Sequence, residues 1–81
     1  MKIELLLFAQ LRDAFGAGSV TLEVEAGATV SVAAAAAFAS LADQRYEKLP
    51  VRFAVGESFV DDDFVLREGD TLALIPPVSG G

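Results

Sequence analysis

The sequence contains no cysteine, no histidine and no tryptophan. Without cysteine and histidine the chain cannot carry a thiolate nucleophile, a Ser-His pair, a disulfide framework or a zinc site, and we expect no metal site. A small domain that folds without disulfides is typical of a reducing compartment. We therefore expect a cytoplasmic protein.

Positive charge and long hydrophobic runs are scarce too. Six Lys and Arg residues stand against twelve Asp and Glu, which gives a formal charge of -6, and no two of the cations lie within two residues of each other. Because nucleic acids require a basic surface, we expect no nucleic-acid partner. The longest apolar run covers residues 32–39, far short of the roughly eighteen residues of a membrane span, so we expect no membrane contact.

Apolar residues, in contrast, are abundant and make up 53% of the 81 positions. This content argues against disorder. A chain of this length buries about 60% of its unfolded surface, which is enough for one compact core. We expect a single folded domain.

Alternating apolar residues predict two strands in the first part of the chain. Residues 1–9 place Ile3, Leu5 and Leu7 on one side, and the other side has few polar residues, which indicates a central strand. Residues 20–25 alternate apolar with polar side chains as in a half-buried strand. A polar connection over residues 10–19 joins them, and we expect the two strands to pair as a hairpin.

A helix is predicted after the turn at residues 26–27. Thr29 is the expected N-cap, and the helix runs from Val30 to about residue 42, or to residue 46 at the furthest. Five alanines at positions 33–37 favour helix. A flexible linker is the alternative interpretation of that run, but its surroundings repeat with helical spacing along one face, which consists of Val30, Ala34, Ala37, Phe38 and Leu41.

Three further strands complete the predicted fold. They cover residues 51–55, a short segment near residues 59–60 after a type II′ turn at Gly56-Glu57, and residues 71–75, where two prolines stop the last strand. Between them we expect a solvated loop at residues 61–63, a segment at residues 64–66 tucked against the core, and a turn at residues 68–70. One main helix over one face of a mixed sheet is an α+β arrangement.

The most informative segment is the tail, Pro76-Pro77-Val78-Ser79-Gly80-Gly81. Two prolines favour a stiff, extended exit, and the four residues after them reach about 13 to 14 Å. Glycine has no β-carbon, so Gly80 and Gly81 can pass through a channel too narrow for other residues. We expect residues 78–81 to be a flexible tail that enters a cleft of another protein; the alternative is a frayed, inert terminus.

The carboxylate of Gly81 is the reactive group that such a tail offers. It is ionised at neutral pH and is a poor electrophile, so it must be activated, for instance as an acyl-adenylate. None of the seven glycines begins a GxxxxGK[ST] phosphate loop, which implies a separate partner that uses ATP. The chain would then be a carrier rather than an enzyme on its own.

Apolar residues also fall on the sheet face opposite the predicted helix. If the first and last strands are neighbours, Leu6 and Phe8 lie beside Ala73 and Ile75 and form one patch near the tail. Exposed patches of this kind mark protein interfaces; the alternative is that a loop covers one of the strands. With an ionic contact from Arg12 at the rim, the predicted partner surface consists of Leu6, Phe8, Arg12, Phe59, Ile75 and Pro77.

Two acidic groups carry weaker signals. Asp61-Asp62-Asp63 suggests calcium, but position twelve counted from Asp61 is Leu72, where an EF-hand requires glutamate, so a solvated loop is favoured. Glu57 and Asp61 are candidates for paired-carboxylate hydrolysis, but nothing in the sequence predicts a pocket around them.

Three segments together resemble the small, sulfur-carrier subunit of molybdopterin synthase. They are Leu-Phe-Ala-Gln-Leu-Arg at residues 7–12, Leu66 with Glu-Gly-Asp at residues 68–70, and Ile-Pro-Pro-Val-Ser-Gly-Gly at residues 75–81. The resemblance spans nearly the whole chain. It implies a ubiquitin-like β-grasp domain over residues 1–77, followed by the Gly-Gly tail. Many members of that family have Asn where this chain has Gly56, a change that suits the turn and leaves the tail chemistry unaffected.

The same resemblance implies a function for the tail. A ubiquitin-activating-type enzyme would use ATP to adenylate Gly81, which would then become a thiocarboxylate. The tail would enter the large synthase subunit and give its sulfur to cyclic pyranopterin monophosphate, which forms the dithiolene of molybdopterin. The positions that match Phe8, Arg12 and Ile75 lie at the large-subunit interface in that family. The chain itself would bind no cofactor.

Other functions remain open at this point. A sulfur carrier of the same fold could serve thiazole synthesis, tRNA thiolation or cysteine synthesis, with the same chemistry at Gly81. A ubiquitin-like modifier would instead be joined to lysines of other proteins. A small interaction domain with an inert tail is the third alternative.

Overall fold

Eight short elements follow one another along the computed structural model, which describes residues 1–77. They are β1 (Lys2–Leu7), α1 (Ala9–Phe15), β2 (Ser19–Glu23), α2 (Val30–Ala39), a 3₁₀ helix (Gln44–Lys48), β3 (Arg52–Val55), β4 (Ser58–Val60) and β5 (Thr71–Ile75). The tail predicted at residues 78–81, and with it the boundary between domain and tail, falls outside the described residues.

The five strands form one mixed sheet in the order β2-β1-β5-β3-β4. The first and last strands, β1 and β5, pair in parallel, and the other neighbours are antiparallel. This arrangement confirms the predicted α+β class with one main helix on the sheet. It also confirms the interior position of the first strand and its pairing with the second, although a helix joins the two where a simple connection was expected.

The hydrophobic core lies between the sheet and α2. Leu5 and Leu72 are completely buried neighbours on β1 and β5, and Val30, Ala33 and Ala37 of α2 pack in the same cluster. Alanines at these helix positions let the helix backbone come close to the sheet, because their side chains are short. In residues 1–77 no polar or charged residue is buried, so the fold depends on apolar packing.

The main helix begins where the sequence predicts and ends earlier. Thr29 is its N-cap, and the Thr29 hydroxyl oxygen accepts a hydrogen bond from the Val32 N–H at 3.3 Å. The helix ends at Ala39, so the predicted continuation to residue 42 or 46 is wrong. The side chain of Asp43 accepts from the Arg45 N–H at 3.0 Å and caps the separate 3₁₀ helix. Such local side-chain bonds compete with continuation of an α-helix.

The short helix α1 occupies the segment predicted as a polar connection, and β1 ends at Leu7 where the strand was predicted to reach Ala9. Ala9 turns the chain with a positive φ of 51°. Gly16 then ends the helix in the left-handed conformation, and its N–H donates to the Arg12 carbonyl. Leu11 is completely buried in the core, which explains why this polar segment folds back onto the sheet.

The second half of the chain matches the predicted strands closely. Val55 pairs with Ser58, so the β3–β4 hairpin has the predicted two-residue loop, and of its two residues Gly56 alone has a positive φ, as in a type II′ turn. Residues 61–63 form an exposed loop, as expected. In the segment at residues 64–66, however, Leu66 is buried while Phe64 and Val65 are exposed, so the predicted tuck is correct for Leu66 only.

Among the helices of residues 1–77, none has both the length and the apolar character of a transmembrane span.

Candidate partner-binding face

The face of the sheet that points away from α2, called the open face here, carries a continuous row of apolar side chains. Strand register places Leu6 beside Ala73, Ala73 beside Ala54, and Ala54 beside Phe59. Neighbouring strands lie about 4.8 Å apart, so these four residues form a row across four strands. The register confirms that the first and last strands are neighbours, as the predicted patch required.

A second row lies next to it, at the end of the sheet where β1 and β5 finish. Ile75 pairs with Arg52 across β5 and β3. On the other side of Ile75, Phe8 follows β1 in an extended conformation, with φ of −126° and ψ of 154°. Because side chains alternate along an extended chain, Phe8 points to the same side of the sheet as Leu6.

The two rows form an exposed apolar patch. Phe8 is 45% exposed and Phe59 is 59% exposed, while Leu6 and Ile75 are partly covered. Ala73 is only 7% exposed and lies between Leu6 and Ala54 in the first row. Two exposed phenylalanines beside aliphatic side chains are unfavourable in water and are typical of a surface that another protein covers.

The predicted tail begins at the edge of this face. Parallel strands finish at the same edge of a sheet, so the carboxyl ends of β1 and β5 lie side by side. Pro76 is buried and Pro77 is exposed, so the chain reaches the surface at residue 77. The predicted reactive residue Gly81 and the channel residues Val78, Ser79 and Gly80 lie outside the described residues.

Arg12 is exposed on α1, directly after Phe8 and the β1 edge. Its guanidinium Nε lies 3.7 Å from the point that a β-carbon on Gly18 would occupy. Within residues 1–77 it takes part in no ion pair, and its predicted contact with a partner stays a prediction.

One residue of this face was not found from the sequence. Arg52 was interpreted only as a polar position in the third strand, yet its guanidinium carbon lies 4.1 Å from the centre of the Phe59 ring. The predicted two-residue turn at Gly56-Glu57 places Ala54 opposite Phe59. Arg52 lies two residues before Ala54 and therefore faces the same side of the sheet as Phe59. This signal could have identified Arg52.

Ionic interactions elsewhere do not form a second site. Asp43 and Arg45 form an exposed ion pair with an N–O distance of 2.7 Å, and the hydrogen bonds from Arg45 lower the pKa of Asp43 to about 2. Within the described part of the chain, acidic side chains nowhere group closely enough to hold a metal ion. Among residues 1–77 the exposed apolar surface of the open face remains the strongest candidate for binding a protein.

Comparison with known proteins agrees with this geometry. A curated relative from Arabidopsis thaliana, named molybdopterin synthase sulfur carrier subunit, is 30% identical over the whole chain, which covers 84% of that protein. A relative of the same name from Chlamydomonas reinhardtii is 37% identical, and the match covers both chains completely.

Solved structures confirm the ubiquitin-like β-grasp fold that was expected. The crystal structure of SAMP1 from Haloferax volcanii matches with a TM-score of 0.85 and 27% identity, and covers both chains completely. A structure from Helicobacter pylori, described as the complex of subunits 1 and 2 of the molybdopterin-converting factor, matches with a TM-score of 0.64 and 22% identity over both complete chains. The second likeness concerns the fold alone, and it shows this fold in a complex with a partner subunit.

The family match covers nearly the whole chain. The match includes the tail and all the strands of the open face except the first residues of β1. Residues 5–81 match the ThiS family, and the chain belongs to that family.

Proposed function

We propose that the chain is the sulfur carrier subunit of a molybdopterin synthase. The observation that carries the proposal is the joint position of the apolar open face and the start of the tail at one edge of the sheet. Phe8 and Ile75 lie at that edge, and Pro77 leads away from it. A partner that covers the open face is thereby placed to receive residues 78–81. Both curated relatives named above support molybdopterin synthase as the assembly.

The chemistry of the proposal takes place at the carboxyl group of Gly81. A carboxylate oxygen attacks the α-phosphorus of ATP, and pyrophosphate leaves, so that the carbonyl carbon becomes an acyl-adenylate. Sulfur at the oxidation level of hydrosulfide then attacks the carbonyl carbon, the bond from that carbon to the AMP oxygen breaks, and AMP leaves a thiocarboxylate behind. The thiocarboxylate sulfur is a better nucleophile than a carboxylate oxygen and forms a bond to a carbon of cyclic pyranopterin monophosphate. Water then cleaves the acyl carbon–sulfur bond, which leaves the sulfur on the acceptor and restores the Gly81 carboxylate.

The work is divided between this chain and larger proteins. A ubiquitin-activating-type enzyme binds ATP and performs the adenylation, so no cofactor is needed in this chain. The large synthase subunit supplies the pocket, the substrate contacts and the proton transfers, and the tail brings the sulfur into line with its acceptor. We place these steps in the cytoplasm, the reducing compartment that suits a chain without cysteine.

The length of the tail fits this division. The four residues after Pro77 reach about 13 to 14 Å when extended, which is enough to enter a cleft beside the docked face. Gly80 and Gly81 are the residues that would lie deepest. Val78 and Ser79 would line the entrance of the channel.

Two tail variants test the proposal. Deletion of Gly81, or addition of one alanine after it, moves the carboxyl group away from its working position and should abolish sulfur transfer. The assay is dithiolene formation by the large subunit, the activating enzyme and this chain, with a circular dichroism spectrum to show that the variant remains folded. Retention of cofactor synthesis by either variant would refute the assignment.

A ubiquitin-like modifier is the second candidate, because a matching Haloferax volcanii structure at 27% identity is described as small archaeal modifier protein 1. Mass spectrometry of the protein from cells separates the two functions. A terminal mass change of one oxygen-to-sulfur exchange identifies a carrier. Isopeptide-linked remnants of the tail on lysines of other proteins identify a modifier.

A further inference from the structure

Arg52 is a cation of the open face that lies beside the last residue of β5. It pairs with Ile75, the last residue of β5, and β3 carries it on the same side of the sheet as Phe59. Pro77 follows Ile75 by two residues. A partner that covers Phe8 and Ile75 therefore also covers Arg52.

The Arg52 side chain contacts an aromatic ring. Its guanidinium lies over the Phe59 ring at 4.1 Å from the ring centre, a cation–π contact. Among residues 1–77 no carboxylate lies within ion-pair distance of it, although Asp61 and Asp62 line the same shallow cavity of about 270 Å³. The guanidinium is thus positioned on an apolar surface without an anionic partner of its own.

Docking changes the environment of this charge. A partner surface that covers the apolar row removes water from the guanidinium, which is unfavourable unless the partner supplies an anion or several acceptors. The planar guanidinium fork binds a carboxylate through two parallel hydrogen bonds, which gives geometric specificity as well as attraction. A partner that lacks such a group is rejected because the arginine would be buried unpaired.

We propose that Arg52, oriented by Phe59, is a specificity contact that pairs with an aspartate or glutamate of the large subunit, beside the opening that receives the tail. This inference rests on the proposed function. The chain is acidic overall, with a charge of -6, so a positive group on the docking face is distinctive. Its pairing with one carboxylate of the partner also fixes the orientation in which the face docks.

The test measures affinity for the large subunit by calorimetry at low and high salt. We expect Arg52→Glu to weaken binding about 30-fold or more, because it places two carboxylates opposite each other. Arg52→Leu should also weaken binding and should lower its salt dependence, because the charge pair is gone. Arg52→Lys should lie between the wild type and Arg52→Leu, because lysine keeps the charge without the fork.

Arg67→Glu is the matched control. Arg67 is exposed and lies at the other end of the sheet, next to the turn in which the Gly69 N–H donates to the Lys2 carbonyl. Both charge reversals change the net charge equally, so a general electrostatic effect would weaken binding equally. We expect Arg67→Glu to remain within about threefold of the wild type, since an exposed charge outside the interface contributes little.

The outcomes separate the two proposals. If the wild type binds and Arg52→Glu behaves like Arg67→Glu, the specificity contact is wrong while the proposed function stands. If the wild type does not bind the large subunit at all, both are wrong. Thermal unfolding of each variant completes the test, because a loss of stability that matches the loss of binding would assign Arg52 to the fold and overturn its role in recognition.

Discussion

Leu6 and Ala73 are direct neighbours on the parallel strands β1 and β5, and both belong to the open face. The residues that precede them, Leu5 and Leu72, are also direct neighbours and are completely buried in the core. Consecutive residues of β1 therefore face opposite sides of the sheet: Leu5 packs in the core, and Leu6 lies on the open face. This alternation allows the two functions of β1 to be tested with adjacent substitutions.

The first prediction compares Leu5→Ala with Leu6→Ala. Leu5→Ala leaves a cavity and should lower the free energy of unfolding by about 3 kcal/mol, within the range for buried leucines. Leu6→Ala should have a much smaller effect on stability, because Leu6 is only partly covered. It should instead weaken binding to the large subunit by about tenfold, as expected for the loss of an apolar interface side chain.

Chemical denaturation and calorimetry measure these two effects. Binding should be measured where Leu5→Ala remains folded, and its affinity should then equal that of the wild type. A result in which both substitutions lose stability and affinity in the same proportion would show that the open face does not bind the partner.

The second prediction concerns Phe8. Phe8→Asp should weaken large-subunit binding far more than it lowers stability, because the ring is 45% exposed on the open face. Phe64→Asp is the matched control, since Phe64 is 39% exposed and lies near the start of α2, where its carbonyl accepts from the Val30 N–H. We expect Phe64→Asp to leave binding unchanged. Equal thermal and binding losses for Phe8→Asp would show that Phe8 belongs to the core.

The third prediction concerns the β3–β4 turn. Gly56 has a φ of +64° and open space where a β-carbon would be, so Gly56→Ala introduces backbone strain without a clash. We expect a loss of about 1 kcal/mol in the free energy of unfolding. Gly18→Ala is the control, because Gly18 has no positive φ and its β-carbon would meet Arg12 at ordinary contact distance. A neutral Gly56→Ala in thermal unfolding would contradict the turn geometry.

The fourth prediction concerns pH. The side-chain hydrogen bonds from Arg45 lower the pKa of Asp43 from 3.8 to about 2. A lowered carboxyl pKa means that the ion pair adds stability above pH 3.8 and that this contribution disappears as the pH falls to about 2. The pair is exposed, so the contribution is small and is screened by salt. An NMR titration should show the Asp43 pKa returning toward 3.8 in Arg45→Met, and an unchanged pKa would contradict the cause.

The strands were predictable because their patterns are local. The alternation in β2 and the two prolines after β5 each set an element boundary to within one or two residues. Thr29 also set the start of α2, since its side chain makes the capping bond that its residue type suggests. These features depend on neighbouring residues only.

The helix α1 was missed because its stabilising contact is distant in sequence. It has seven residues and no side-chain cap at Phe8, so local signals favour it weakly. Leu11 stabilises it by packing into the core, and that contact exists only when the sheet has formed. The spacing of Leu11 and Phe15, with Gly16 after them, was the available signal.

The apolar part of the open face followed from the sequence once β1 and β5 were assumed to be neighbours. Arg52 did not, because its importance depends on the ring of Phe59 beneath it and on the position of Ile75 next to it. These two relationships join three strands. The hairpin at Gly56-Glu57 indicates the first relationship, but the second depends on the pairing of β3 with β5, which no single segment determines.

The parallel pairing of β1 with β5 also affects how the protein is made. The first strand leaves the ribosome early, but its central neighbour is the last strand to be synthesised, so the sheet cannot close on a nascent chain that lacks β5. Long-range pairing of this type delays folding until the distant segment is present. A translation product that stops before β5 would therefore lack the complete sheet, the open face and the Gly-Gly end together.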